Sequence, residues 1–163
     1  MKTPGTNPYP RGRVLGRYVV CTGALAGVLH ALLLSVWGSW QMPQMMVLAA
    51  LGSVWRVLAF GIGGAVWLAP VGLAAGAVAA FGRLYHRPAS LLLPALAAAV
   101  CGILVYRFLD VLLAVWPPPF WLNLGADIRR AVSGGWLPAA VCGAAAWLAG
   151  WFALPYGEEE EAE

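Results

Sequence analysis

Four long apolar runs constrain this chain more than anything else in it. Residues 18–41, 57–82, 89–106 and 131–157 contain no Asp, Glu, Lys or Arg and consist mainly of Leu, Ala, Val, Gly and Trp. Uncharged stretches of about 18 residues or more are what a helix needs to cross a hydrocarbon layer roughly 30 Å thick. A water-soluble fold fails on surface chemistry. The chain is 61% apolar and 10% charged, against about 45–50% and about 25% in a soluble domain. Too few polar residues remain to cover a globule, and the fold class that follows is an all-α, polytopic bundle of transmembrane helices.

The first run follows Lys2, Arg11, Arg13 and Arg17, as the apolar core of a secretory signal would. It is longer than the roughly 7–15 residues of such a core, and no A-x-A-type cleavage site follows it. It therefore reads as a retained first span. The preceding residues 1–17, basic and rich in Pro and Gly, read as a disordered tail. Residues 157–163 form an acidic tail with Glu158, Glu159, Glu160, Glu161 and Glu163.

Residues 42–82 decide the topology. As one straight helix they would extend roughly 60 Å, twice the hydrocarbon thickness. Residues 45–55 lack the polar face that a helix lying on the membrane surface requires. A turn at Gly61-Ile62-Gly63-Gly64 is expected instead, since glycine supplies the backbone conformations of a tight turn. This gives five spans at residues 18–41, 42–60, 65–82, 89–106 (with an extension to 116) and 132–156; four is the alternative.

Charge placement favours five, because cytoplasmic loops are enriched in Lys and Arg. With the N-terminus inside, Lys2, Arg11, Arg13, Arg17, Arg56, Arg107, Arg129 and Arg130 lie inside, and only Arg83 and Arg87 outside. Four spans would nearly erase that asymmetry. Pro117-Pro118-Pro119 stops any helix continuing from the fourth span. Trp37, Trp40, Trp116, Trp121, Trp136 and Trp151 fall near span ends, the level at which amphipathic rings settle.

Ionisable residues within spans are costly and count as functional candidates. Four qualify: His30, Arg56, Arg107 and Asp110. Arg107 and Asp110 stand three apart on one helix, so they can pair on one face; the alternatives are a structural ion pair and a proton or solute relay. Arg56, at a similar depth, serves either as an orienting charge or with Arg107 as a site for an anionic headgroup. His30 lies mid-span, with an interhelical hydrogen bond as the bland explanation and proton transfer as the functional one.

Cys21, Cys101 and Cys142 show no metal-ligand spacing and read as small buried residues. No zinc, nucleotide or nucleophile-elbow motif occurs, and no carboxylate pair lies within a span. The chain is accordingly expected to be no enzyme and to hold no metal or cofactor. The absence of a basic stripe interleaved with aromatics excludes nucleic acid as a partner. Small-residue pairs such as Gly23/Gly27, Gly72/Gly76 and Ala98/Gly102 suit close helix contact, within the bundle or with a partner subunit or second copy.

The expected role is a transport-related or substrate-binding membrane subunit working with partner proteins; the alternative is an assembly subunit with no ligand of its own. With nine Arg to one Lys, a GC-rich prokaryotic genome and its cell membrane are the expected setting.

Overall fold

The computed structural model describes residues 9–41, 46–115 and 136–155. Lys2, Pro117-Pro118-Pro119, Arg129, Arg130 and the acidic tail lie outside these residues. The described residues form helices and no strand. The helices are α1 (Arg11–Gln41), α2 (Met46–Trp67), α3 (Ala69–Phe81), α4 (Pro88–Val115) and α5 (Leu137–Ala153).

Two of them are long and apolar enough to cross a membrane, α1 over Arg11–Leu33 and α4 over Pro88–Leu112. The bent pair Val57–Trp67 and Ala69–Phe81 makes a third if it counts as one span, while α5 is a shorter apolar helix. Five spans are not supported. Helix α1 also begins at Arg11, so residues 11–17 belong to the helix and not to a disordered tail. The apolar run from residue 18 marks only the part of the helix that suits hydrocarbon, and the arginines before it continue the same helix.

The expected turn at residues 61–64 is corrected as well, for all four residues lie inside α2. Their glycines serve close packing, not a reversal. A Cβ on Gly64 would lie 2.5 Å from the Gly23 carbonyl oxygen and 2.8 Å from Gly27 Cα. The same contact seats Gly27 against the Phe60 carbonyl. Small residues let two backbones meet where any side chain would hold them apart.

The break falls at Leu68 instead, where the chain bends by 60°. Its cause is Pro70, which has no N–H to bond the Val66 carbonyl and whose ring collides with it in a continuous helix. Proline is tolerated in a first helical turn, so α3 starts at once with Pro70 near its N-terminus. The Leu68 carbonyl accepts from Val71 and Gly72 at 3.0 and 3.2 Å, restarting the ladder.

Contacts along the helices fix their directions. Gly27 meets Phe60, Gly23 meets Gly64, and Gly76 meets Leu15, so α2 and α3 together run antiparallel to α1. Gly102 meets Cys142 and Pro138 while Gly150 meets Leu91, so α5 runs antiparallel to α4. Helix α1 packs on α2, α3 and α5, and α4 packs on α3 and α5.

Three hydrogen bonds gather the N-terminus, the α3–α4 connection and the end of α5 at one end of the bundle. Tyr9 Oη donates to the Leu84 carbonyl at 2.7 Å, and Arg17 Nη1 to the Phe152 carbonyl at 3.2 Å. The His86 amide donates to the Pro155 carbonyl at 2.9 Å.

Residues are sorted by size across the bundle, not by polarity. The interior is largely alanine: Ala26, Ala75, Ala98, Ala145 and Ala149 are fully buried. Large apolar side chains point outward, among them Ile62 (72% exposed), Leu96 and Leu104. On α4, Pro94, Ala98, Gly102 and Tyr106 face inward at four-residue spacing, with Leu92, Leu96, Val100 and Phe108 facing out. Such an exterior suits hydrocarbon, where association depends on close packing of small residues and not on hiding apolar ones.

Candidate functional site at a buried histidine

His30 is 3% exposed on the inner face of α1. It belongs to a ridge at four-residue spacing, Val14, Tyr18, Thr22, Ala26 and His30, all buried. Ridges of i, i+4 residues are what one helix inserts between its neighbours. This ridge carries three polar side chains into the interior of the bundle.

The His30 ring lies between α2 and α4. Its Nδ1 is 3.1 Å from Tyr106 Oη in a buried hydrogen bond whose donor depends on the ring tautomer. The ring stacks on Phe60 with centroids 5.7 Å apart and planes 21° apart, and it meets the Tyr106 ring at 5.5 Å. One residue from each of three helices thus meets at a single point. His30 Nε2 is buried and has no hydrogen-bond partner among the described residues, and the same holds for Tyr18 Oη and Thr22 Oγ1.

Magnitudes weigh against a purely stabilising role for His30. An interhelical hydrogen bond in a membrane averages about 0.6 kcal/mol and reaches about 1.7. A buried polar atom left without a partner costs about 1–3 kcal/mol. On average values the bond to Tyr106 falls short of the cost of the unbonded nitrogen on the same ring, and the two ranges overlap only between about 1 and 1.7 kcal/mol.

The other expected residues lie at neighbouring levels. Arg107 follows Tyr106 and stands exposed; Asp110 is half-buried, one helical turn beyond Tyr106 on the same side of α4. Arg56 lies in α2 one turn before Phe60, and its side chain falls outside the described residues. All three sit within roughly one 5.4 Å turn of the histidine's contacts.

Sequence reasoning missed Tyr106, Phe60, Tyr18 and Thr22. The spacing of Tyr18, Thr22 and His30 was an available signal for the ridge. Tyr106 was masked by the charged Arg107 beside it, and no sequence signal pairs Phe60 with His30.

Cys101 and Cys142 lie where α4 meets its neighbours. The Cys101 thiol donates to the Pro70 carbonyl at 3.6 Å, next to the break. Cys142 is buried against Gly102. All three cysteines are free. Among the described residues no group of three or more His, Cys, Asp or Glu could hold a metal ion. Compared with protein-family models, with curated proteins and with solved structures, the chain matches none.

Proposed function

We propose that the chain is a multi-pass integral membrane protein acting as a transport-related subunit, with His30 and Tyr106 as its working polar pair. The observation that carries this reading is the His30 ring, buried with one nitrogen bonded to Tyr106 and the other without a hydrogen-bond partner among the described residues. A ring held this way is able to exchange one partner for another as helices shift. It stacks on Phe60, and the helix bearing Phe60 breaks two turns later at Leu68. Interrupted helices beside embedded polar groups are where membrane transporters place ion and solute sites.

In this reading α1, the bent α2–α3 pair, α4 and α5 cross in alternate directions. Helix α5, roughly 25 Å long by its 17 residues, fits a locally thinned bilayer.

The assembly-subunit alternative has one observation in its favour. The α1–α2 and α4–α5 contacts are backbone-close and leave no space for a side chain at Gly27, Gly64 or Gly102.

Reconstitution into vesicles holding a pH-sensitive dye, energised by a potassium gradient and valinomycin, separates the two with protons as the probe. Proton flux above that of empty vesicles, abolished in His30→Leu protein of unchanged helicity and size, supports the transport reading. No wild-type flux, combined with loss of a co-purifying partner in His30→Leu, sinks it in favour of assembly.

A further inference from the structure

The end of the bundle where Tyr9, Leu84, Phe152 and Pro155 meet carries the described molecule's main concentration of charge. Arg11, Arg13, Arg17, Arg83 and Arg87 all lie there, and all are exposed. Asp110, the only carboxylate among the described residues, lies toward the opposite end.

Two helices start at this end, α1 at Arg11 and α4 at Pro88, and neither has an acidic residue in its first turn. A helix N-terminus carries partial positive charge and favours anions. Arg11 and Arg13, in the first turn of α1, add like charge to its N-terminus, an arrangement that an external anion relieves.

Aromatic rings surround the arginines at the level where the bundle meets water. Tyr9 packs edge-on against Tyr85 at 5.5 Å, and His86 packs against Trp151 at 4.7 Å. Phe81, Tyr85 and Trp151 are exposed. Rings of this kind settle among lipid headgroups. One side of the first turns of α1 is also open: among the described residues, a Cβ at Gly12 or Gly16 would meet nothing within 4 Å.

We propose that this arginine rim is a docking surface for the phosphates of anionic phospholipids. It would then face the cytoplasmic leaflet, where such lipids attract juxtamembrane basic residues. The inference stands apart from the transport reading, because it needs only a membrane-embedded bundle. The acidic tail, which follows Pro155 in sequence, is the internal rival for the same charges.

The test extracts full-length protein from vesicles of equal parts dioleoylphosphatidylglycerol and dioleoylphosphatidylcholine, then measures the ratio of the two lipids retained. The expected result is severalfold enrichment of phosphatidylglycerol. It should fall to parity in an Arg13→Gln, Arg83→Gln, Arg87→Gln triple variant of unchanged helicity and persist in Arg107→Gln. Equal retention by the wild type, or enrichment surviving the triple substitution, overturns the proposal. So does enrichment that appears only once the chain is truncated after Tyr156, since the tail would then be the rim's occupant.

Discussion

Replacing His30 by Leu removes one buried hydrogen bond and one buried ring nitrogen that has no partner among the described residues. The first loss is worth about 0.6–1.7 kcal/mol, and relief of the second about 1–3 kcal/mol. Combined with Tyr106→Phe, so that no hydroxyl is stranded, the change is expected to leave thermal stability in detergent unchanged or raised. A loss above about 3 kcal/mol would show that the pair is structural. Tyr9 makes a different kind of contact, holding the start of α1 to the α3–α4 connection through the Leu84 carbonyl. Burial, and then the neighbouring Tyr85, pushes its pKa up from 10.0 to about 12. The folded value lies above the unfolded one, so the anchor contributes fully below about pH 10 and is lost as pH climbs to about 12. Tyrosinate absorbance, followed alongside proteolysis near residue 9, should show the N-terminus released within that window. In Tyr9→Phe the release should no longer depend on pH there, and a wild-type release near neutrality contradicts the anchor.

Among the helices, the segment from Gly61 to Pro70 shows what the sequence made legible and what it did not. Apolar length revealed that residues 42–82 must break. It did not reveal where, because glycine suits both a tight turn and a close helix contact. Only the position of Gly23 and Gly27 on the neighbouring helix resolves that ambiguity in favour of contact. Pro70 marked the true break at Leu68, although Pro94 lies inside α4 without ending it. Adjacent glycines in α2 should therefore respond oppositely to the same substitution. A Cβ at Gly64 meets backbone at 2.5 Å, while one at Gly63 meets nothing within 4 Å. Gly64→Ala is expected to destabilise by about 1–3 kcal/mol through overpacking. Gly63→Ala should stabilise by up to about 1 kcal/mol through helix propensity. Equal effects in thermal unfolding would mean that α1 and α2 do not meet at Gly64. His30 was legible as a polar residue in an apolar run; its meeting with Phe60 and Tyr106 was not, since it joins positions 30 and 76 residues away.

For the whole molecule, the sorting of small residues inward and large apolar ones outward agrees with the apolar runs that first suggested a lipid solvent. Charge counting went astray in placing Arg83 and Arg87 opposite the N-terminus. With residues 61–64 helical, the bent α2–α3 pair runs the length of α1 once, and those arginines return to the end occupied by Tyr9 and Arg11. Sidedness distinguishes this single bent passage from two separate spans. In a variant lacking the native cysteines, single cysteines are placed at Gly12, Ile62 and Arg83 and probed with a membrane-impermeant maleimide in sealed vesicles of known orientation. Positions 12 and 83 are expected to label from the same side, and position 62, facing lipid, from neither. Labelling of 12 and 83 from opposite sides, with position 62 open to water, would contradict it and restore a turn at residues 61–64.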